Sequence, residues 1–423
     1  MTAGRLVLLG GSSPNTPALF AAMGDLGEVP LDEVCLVGPS AEKVEYVGRF
    51  CRTVADRRGL SVRVTWETDL TRATSGASYV LNMLRVGGVA GELADRQALA
   101  LSGIVGHASS YPEAMRNLPA SLAAAQIVDK TAPDALWINF TNPVSILCEA
   151  IASTTELSCV GICHHASSIR ADFAALLEVP AERVRVEYLG LNHVGWVTDV
   201  QVDGSSRLHT LTERLIARRC KTYNYALIGR LGAIPLQHAY SLYKTGEVVY
   251  VREKGPRGSV SDALLKNPAW SRLAHWRAGR DRLAEAVRHG EQGVVDALVD
   301  RAPWYQRCIV PFLNSLVNGR SAEHIVTFEH KGQAPGVPER TAETTVMMDG
   351  RRIRAIPFAS RLPAAARVWL EQIRNSEHLL IQAVGERSRA TALEALACHP
   401  NVASARHAER FLQHYQWADI GDV

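Results

Sequence analysis

A cysteine and a histidine stand at positions where their side chains could hold a metal ion. Cys163 follows residues 158–162, a small and apolar segment typical of a buried strand, and His193 follows the apolar residues 184–191. A thiolate and an imidazole on neighbouring strand ends could bind one divalent metal and leave open positions for a substrate oxygen. The same residues also fit a buried cysteine and a core histidine that bind nothing, so both interpretations stay open.

The N-terminus reads as a strand, a turn and a helix. Residues 5–9 are apolar and predict a strand, and residues 18–23 predict a helix. The turn between them contains Gly10, Gly11, Ser12, Ser13 and Asn15. This order is typical of the first βαβ unit of a dinucleotide-binding domain, where backbone amides and a helix N-terminus meet a pyrophosphate. The spacing is not GxGxxG, so a plain strand-to-helix turn fits as well.

The second predicted strand, residues 34–37, ends without the acid that usually binds the adenosine ribose. Gly38, Pro39 and Ser40 follow it, where an aspartate or glutamate is typical of NAD-binding proteins. The choice between NAD and NADP is therefore open.

Two further predicted strands end in polar residues. Arg85 comes after residues 79–83, with two glycines behind it, and Asn142 comes after residues 137–140. An arginine at a strand end can hold an anion with two hydrogen bonds, although a surface salt bridge fits the position equally. Ligands of open α/β sheets lie at the carboxyl ends of the strands. We therefore expect both residues to lie near the turn after the first strand, together with Cys163 and His193.

The alternation of strands and helices over roughly the first 190 residues predicts an open, mostly parallel α/β sheet of the Rossmann type. The later residues read as α+β. The predicted helices are 120–131, 211–219, 262–301, 364–384, 390–396 and 407–415, and the predicted later strands are 325–328 and 344–348. We expect two domains: an NAD-binding domain at residues 1–193, and a substrate, catalytic and oligomerisation domain at residues 194–423.

Composition excludes several classes of protein. The chain has 423 residues, of which 47% are hydrophobic and 21% are charged, and its formal net charge is +3. These values fit an ordinary globular protein and argue against a nucleic-acid scaffold. Eight cysteines without a CxxC pair indicate a reducing compartment. No apolar run is long enough for a signal peptide core or a membrane span, so we expect a cytoplasmic protein with no membrane partner.

Several segments together resemble glycoside hydrolase family 4, the NAD-dependent glycosidases related in fold to lactate and malate dehydrogenases. The first turn, GGSSPNTP, is similar to the family's GGGSTYTP. The segments LRVGG, DALWINFTN, VGICHH and GLNHVGW also stand in the family's order. The resemblance covers nearly the whole chain and implies a C-terminal part like that of lactate and malate dehydrogenases.

The resemblance also implies cofactors and a mechanism. Cys163 and His193 would ligate a divalent metal, usually manganese, and the glycines and serines of the first turn would hold NAD. The family oxidises the sugar at carbon 3, removes the proton at carbon 2, expels the aglycone, adds water and returns the hydride. It is an exception to the paired-carboxylate mechanism. We assign sugar binding to Arg85, Asn142, His165 and Lys331.

The chain departs from the family pattern at the catalytic positions. His164 stands where some members have the proposed acid for the leaving group, and it could serve as that acid or orient the sugar. The general base aligns with Tyr240 if the Tyr-x-x-Tyr spacing is used and with His238 if residues are counted from the preceding proline; we favour Tyr240. Residues 107–112 and 328–335 also differ from the pattern of the 6-phosphoglycosidases. The substrate is therefore not limited to an ordinary 6-phosphoglucoside.

Two kinds of function therefore remain open. The first is an NAD-dependent glycosidase for a small glycoside with an anionic group at carbon 6, either a phosphate or the sulfonate of a sulfoquinovoside. The second is an NAD-linked dehydrogenase of a sugar or hydroxy acid, or a non-catalytic NAD-binding sensor. For either we expect a homo-oligomer, a dimer or a tetramer.

Overall fold

The computed structural model describes residues 4–27, 29–217, 231–243, 302–329 and 341–417. Within this part, the side chains of Val89, Gln237 and Tyr240 are not described. The predicted helix at 262–301 and the predicted ligand Lys331 lie outside the described residues.

Six parallel strands form the first part of the sheet, as the sequence predicts. They are β1 (Gly4–Leu9), β2 (Leu31–Val37), β3 (Arg63–Glu67), β4 (Tyr79–Asn82), β5 (Leu136–Asn139) and β6 (Cys159–Ile162). Their order in the sheet is β3-β2-β1-β4-β5-β6, the order of a dinucleotide-binding domain built from two βαβαβ halves. Apart from β3 at the edge of the sheet, the strands are mostly buried because helices cover both faces, which explains their continuous apolar runs.

The remaining strands continue the same sheet with antiparallel pairing. They are β7 (Val184–Leu191), β8 (Val194–Val202), β9 (Ser205–Ser206), β10 (Ile234–Pro235), β11 (Ala322–Glu329), β12 (Thr341–Asp349) and β13 (Arg352–Ala355). Beyond β6 the order is β11-β12-β7-β8-β10, with β13 paired to β12 and β9 to β8. The described residues therefore form a single sheet of thirteen strands.

Helices pack on both faces of this sheet. The described helices are α1 (Pro17–Leu26), α2 (Ala41–Arg57), α3 (Leu70–Thr74), α4 (Gly88–Ser102), α5 (Tyr111–Thr131), α6 (Val144–Thr154), α7 (His164–Leu177), α8 (Leu208–Ala217), α9 (Gln237–Tyr243), α10 (Val310–Asn318), α11 (Ala364–Glu386), α12 (Arg389–Cys398) and α13 (Ala405–His414). A 3-10 helix, Gly106–Ser110, precedes α5, and a π-helical turn, Tyr305–Ile309, precedes α10.

Two expectations about this architecture need correction. The helix predicted at 120–131 begins nine residues earlier, at Tyr111, and continues through Pro119, a residue more typical of a helix start. Cys163 and His193 do not follow neighbouring strands, because β11 and β12 lie between β6 and β7, and the three antiparallel pairings make β7 antiparallel to β6. The proposed domain boundary after His193 falls in the turn between β7 and β8, and the division into two domains stays a prediction.

Candidate active site

The turn after β1 is shaped for a close approach by another group. Gly10 has φ +83°, a left-handed conformation that favours glycine, and a Cβ there would lie 2.6 Å from the carbonyl oxygen of Met83. A Cβ on Gly11 would lie 2.7 Å from the Cβ of Leu36, and the Gly11 amide donates to the carbonyl of Val37 at 2.8 Å. The chain is thus pressed against the ends of β2 and β4, which leaves the outer side of the turn for a ligand.

Serines and the start of α1 complete this turn. The Ser13 amide donates to the carbonyl of Gly10 at 3.1 Å, and the Asn15 amide faces the Ser13 hydroxyl at 3.3 Å. Ser12 packs next to Gly38, where a Cβ would lie 2.8 Å from the Ser12 hydroxyl oxygen. The turn therefore joins the ends of β1 and β2 immediately before a helix N-terminus, the arrangement that binds a pyrophosphate in this fold.

The end of β5 is fixed to the end of β4 by a buried threonine. The Thr141 hydroxyl faces the carbonyls of Asn82 at 3.2 Å and Leu84 at 3.1 Å. The next peptide bond, Asn142–Pro143, is cis. Asn142 is half-buried, and its carbonyl accepts from the Asn117 side chain at 3.3 Å. The predicted sugar ligand Asn142 therefore lies at the carboxyl edge of the parallel strands, as expected.

Cys163 is buried at the N-terminus of α7. Burial raises the pKa of its thiol, while the amides of His165 and Ala166 and the side chain of Asn192 lower it. Amides that face a sulfur stabilise its thiolate form. Cys163 could therefore bind a cation as a thiolate, because the positive charge of the cation would offset the cost of burying the negative sulfur.

The histidines of the sequence prediction lie together. The rings of His165 and His193 meet edge to face, with centroids 5.0 Å apart, and the rings of His193 and His238 are stacked at 5.3 Å. His164 lies 6.1 Å from His165, ring centroid to centroid. Burial lowers the pKa of His164, His165 and His193, which favours their neutral forms. Neutral imidazoles can accept protons and bind metals.

Asn192 connects this cluster to the parallel strands. Its side-chain oxygen accepts from the amide of Val144, the first residue of α6, at 3.0 Å. The next residue, His193, has φ +65°, a conformation that costs a residue other than glycine about 1–2 kcal/mol. Strain of this kind persists where the surroundings hold the backbone in place, and it is common at functional sites.

Glu343 is a buried carboxyl group that sequence analysis did not single out. It lies on β12, accepts from the Tyr188 hydroxyl at 2.6 Å, and has one oxygen without a hydrogen bond among the described residues. Burial and the neighbouring Cys163 raise the pKa of Glu343 to about 8, against the lowering effects of the Tyr188 hydrogen bond, His193 and Asn192. The available signal was an acidic residue inside a strand that is otherwise apolar or threonine-rich.

Arg85, predicted to clamp an anion, is half-exposed beyond β4. Its guanidinium lies 3.5 Å from Glu92 and 4.0 Å from Glu113. These ion pairs fit a surface salt bridge. A guanidinium between two carboxylates at these distances also keeps donors that a ligand could use, so the anion clamp stays a prediction. Burial raises the pKa of Glu113, and the nearby Arg85 and Arg116 lower it.

The two candidates for the general base lie on α9. The His238 ring belongs to the histidine cluster, whereas the side chain of Tyr240 lies outside the described part of the structure. Another tyrosine on this helix, Tyr243, accepts a hydrogen bond from the Trp196 indole at 3.2 Å. Tyr243 therefore has a structural partner already.

The donor set fits a metal held by few protein ligands. Among the described residues, no group of three His, Cys, Asp or Glu side chains is close enough together to hold a metal ion. Cys163 and His193 both lie near Glu343, and they supply one soft and one borderline ligand. Such a pair leaves coordination positions for a substrate.

Comparison with known proteins places the chain in a family. The profile described as family 4 glycosyl hydrolase matches residues 5–179, and the profile for the C-terminal domain of that family matches residues 188–402. A probable 6-phospho-beta-glucosidase of Bacillus subtilis is 24% identical, over 97% of this chain and 96% of the relative. A 6-phospho-beta-glucosidase of Thermotoga maritima is 25% identical, over 94% of each chain.

Solved structures share the fold. The Thermotoga maritima 6-phospho-beta glucosidase, determined with manganese, NAD+ and glucose-6-phosphate, superimposes with a TM-score of 0.83 at 21% identity, over 97% of each chain. A 6-phospho-alpha-glucosidase from gut microorganisms, in complex with NAD and glucose-6-phosphate, gives a TM-score of 0.85 at 18% identity, over 98% of this chain and 97% of the other. Malate dehydrogenase of Plasmodium falciparum gives 0.53 at 11% identity, over 90% and 99%.

The fold is therefore a Rossmann-type α/β sheet with a C-terminal part like that of malate and lactate dehydrogenases. Within that class the chain belongs to family 4 of the glycosyl hydrolases, and it is an enzyme of the hydrolase class. In the described residues, none of the helices combines the length and the apolar character needed to span a lipid bilayer.

Proposed function

We propose that this protein is an NAD-dependent glycosidase that cleaves a glycoside with an anionic group at carbon 6, either a 6-phosphoglycoside or a sulfoquinovoside. Family membership supports glycoside hydrolysis. The names of the relatives support the phosphate, and two structures of the same fold contain NAD and glucose-6-phosphate. The sulfonate is supported by the departures at residues 107–112 and 328–335 from the pattern of the 6-phosphoglycosidases.

One observation carries the proposal: Asn192 joins the dinucleotide edge to the histidine cluster. Its side chain accepts from Val144, which follows the cis Asn142–Pro143 bond at the end of β5. Its backbone continues into His193, whose ring contacts those of His165 and His238. A sugar lying over Asn142 would therefore lie next to both a redox cofactor and acid–base groups.

The residues present fit both cofactors. The close contacts of Gly10 and Gly11 with the ends of β4 and β2 hold the backbone of the turn against the sheet and leave its outer side open, which suits NAD. Cys163 and His193 suit a divalent cation, for which we favour manganese because a related structure contains it. When bound, NAD accepts the hydride of carbon 3 and the metal polarises the adjacent oxygen, which acidifies the hydrogen at carbon 2.

The chain's own residues then handle protons and position the sugar. We assign removal of the carbon 2 proton to Tyr240, with His238 as the alternative on the same helix. We assign protonation of the leaving oxygen to His164, because its Nδ1 is buried without a hydrogen bond among the described residues. Burial keeps the pKa of His164 below its ordinary value, so only the protonated fraction of this ring would act as the acid, and the neutral ring would instead orient the sugar.

We assign binding of the anionic group to cationic and polar residues. Arg85 and Lys331 supply positive charge, and Asn142 and His165 supply hydrogen bonds to hydroxyls. A phosphate carries more negative charge than a sulfonate near neutral pH, so the number of cations in contact should decide between the two substrates.

We also infer that the enzyme works in the cytoplasm and assembles as a dimer or a tetramer. The thiols of Cys148 and Cys159 lie side by side without a disulfide, which suits a reducing compartment. Light scattering of the purified protein measures the assembly.

Cofactor accounting tests the proposal. Purified enzyme with NAD and Mn²⁺ is given aryl glycosides of glucose, glucose 6-phosphate and sulfoquinovose, and both the released aglycone and the NADH are measured. The proposal expects aglycone from one or both anionic sugars and no net NADH. Stoichiometric NADH without aglycone would indicate a dehydrogenase, and neither product would indicate a sensor.

Isotope exchange tests the mechanism separately from the substrate. Hydrolysis in heavy water should leave deuterium at carbon 2 of the product, because a proton held on Tyr240 or His238 exchanges with solvent. Tyr240→Phe keeps the ring and removes the acidic hydroxyl, so it should suppress this exchange. Tyr243→Phe is the matched control, because that hydroxyl already accepts from Trp196. Exchange at the wild-type rate in Tyr240→Phe would move the base to His238.

A further inference from the structure

A second pair of histidines lies next to the site, and one of its rings, that of His107, meets the ring of His238 edge to face with centroids 6.4 Å apart. His107, in the 3-10 helix Gly106–Ser110, and His399, directly after α12, are both fully buried. Their rings are stacked with centroids 5.3 Å apart, and the Nδ1 of His107 lies 3.1 Å from the Nε2 of His399. When two imidazoles share one hydrogen bond, one ring nitrogen donates and the other accepts. The tautomers of the two rings are therefore coupled.

A backbone amide decides which nitrogen carries each proton. The N–H of Asn401 donates to the Nδ1 of His399 at 3.0 Å, so that nitrogen accepts and carries no proton. The proton of neutral His399 is then on Nε2, from which it donates to the Nδ1 of His107. The proton of His107 is consequently on its own Nε2. Burial supports the neutral state of both rings, since it lowers the pKa of His399 to about 3 and that of His107 well below its ordinary value.

The ring of His107 faces the backbone that carries His193. The carbonyl of Asn192 interacts with the His107 ring, and the Nε2 of His107 lies 3.7 Å from a carboxylate oxygen of Glu377. The Asn192 carbonyl belongs to the peptide bond before His193, whose φ of +65° needs external support. Asn192 is thus held on one side by Val144, and on the other its backbone lies near the His107 ring, whose Nε2 makes no hydrogen bond among the described residues.

The same network reaches the helix of the proposed base. The Asn401 side-chain oxygen accepts from the His107 amide at 3.1 Å, and its nitrogen donates to the Ser241 hydroxyl at 3.3 Å. The Ser241 hydroxyl donates in turn to the carbonyl of His238 at 2.6 Å. One buried asparagine therefore connects the His107–His399 pair to α9, which carries His238 and Tyr240.

We propose that His107, His399 and Asn401 form a positioning unit that sets His193 on one side of the site and α9 on the other. None of the three is assigned a role in proton transfer or in holding a cofactor, although the His107 ring also meets that of His238. They act through the Asn192 carbonyl and through Ser241. The inference rests on the proposed function insofar as His193 is a metal ligand, and residues that orient metal ligands typically change metal affinity about 10–100-fold when they are replaced.

The test compares two replacements of His399 with a matched control. His399→Leu removes the donor to His107, whereas His399→Gln keeps an amide N–H that can reach the same acceptor. Tyr415→Phe is the control, since it removes a buried hydrogen bond to the carbonyl of Pro112 in the same helical core without touching the network. Binding of Mn²⁺ alone, without sugar or NAD, is measured by electron paramagnetic resonance, and the melting temperature is measured in parallel.

The expected result is a loss of Mn²⁺ affinity of about 10-fold or more in His399→Leu, partial recovery in His399→Gln and no change in Tyr415→Phe. Affinity equal to wild type in a folded His399→Leu protein would overturn the proposal. So would a loss of affinity in Tyr415→Phe as large as that in His399→Leu, because it would mark a general loss of stability.

Nitrogen spectra of ¹⁵N-histidine-labelled protein give a readout that needs neither metal nor turnover. Wild type should show His107 and His399 as neutral Nε2–H tautomers, and the His193 ring signals should shift in His399→Gln and stay in place in Tyr415→Phe. An Nδ1–H tautomer for either histidine, or an unmoved His193 signal in His399→Gln, would refute the positioning role. If the wild type shows these signals but hydrolyses no glycoside, the proposed function fails while the positioning unit stands.

Discussion

Glu377 should make the stability of this protein fall as the pH rises toward neutrality. The residue lies on α11, is fully buried, and accepts from the Ser145 hydroxyl at 2.7 Å. Burial raises its pKa from an ordinary 4.5 to about 7. The folded protein therefore keeps a proton that the unfolded chain releases between these two values. The stabilising effect of that proton is complete below pH 4.5 and is lost as the pH rises through 7.

The size of the effect follows from the two pKa values. Each pKa unit corresponds to about 1.4 kcal/mol, so ionisation of Glu377 costs the folded state about 3 kcal/mol in total. Part of this cost is already present at pH 5. Between pH 5 and pH 8 we expect the free energy of unfolding of the wild type to fall by about 2.5 kcal/mol relative to Glu377→Gln, which has no carboxyl group to ionise.

Urea unfolding at pH 5 and pH 8 measures this difference. Tryptophan fluorescence and circular dichroism should be followed together, because coincident transitions justify the two-state free energies. Glu394→Gln, a change at an exposed position on α12, is the control and should follow the wild type. The reasoning is refuted if the difference between wild type and Glu377→Gln is the same at both pH values.

Three further predictions address the cofactor turn, the metal and the packing of the sheet. Gly11→Asp should abolish NAD binding in calorimetry, because its Cβ would lie 2.7 Å from that of Leu36 on β2 and would displace the turn; retained binding would remove this turn from the site. Cys163→Ser should lose Mn²⁺ in metal analysis while circular dichroism stays unchanged, and full metal occupancy would exclude Cys163 as a ligand. Gly161→Ala should lower the free energy of unfolding by about 1–3 kcal/mol, since its Cβ would lie 2.3 Å from Val144. Gly385→Ala, at a helical position with open space, is the control and should be neutral or slightly stabilising.

The parallel half of the fold could be predicted from the sequence because each of its strands is a local signal. A short apolar run followed by Gly, Asn or Cys marks the end of β1, β4, β5 and β6, and the order of such strands in a doubly wound sheet obeys general rules. The turn at Gly10, the cis peptide region at Asn142 and the N-terminus of α7 at Cys163 lie where those rules place them.

The antiparallel half could not be predicted in the same way. The pairing of β11 with β6 joins residues about 165 positions apart, and no periodicity in either segment specifies its partner. The contact between His107 and His399 spans 292 positions, and each residue read alone is an ordinary histidine in an apolar region. Glu343 is the exception, because a carboxyl group within a buried strand is a signal that can be read from the sequence.

The insertion of β11 and β12 between β6 and β7 has a consequence for how the chain is made. Until residue 329 has left the ribosome, β6 is an open edge with unpaired backbone groups, and until residue 349 has followed, the β7–β8 hairpin lacks the strand that joins it to the sheet. Open, apolar edges invite pairing with other chains, so nascent or truncated forms of this protein would be the aggregation-prone species. A fragment ending near residue 193 would keep the whole parallel sheet and still expose that edge. Expression as separate halves is therefore poorly suited to this protein.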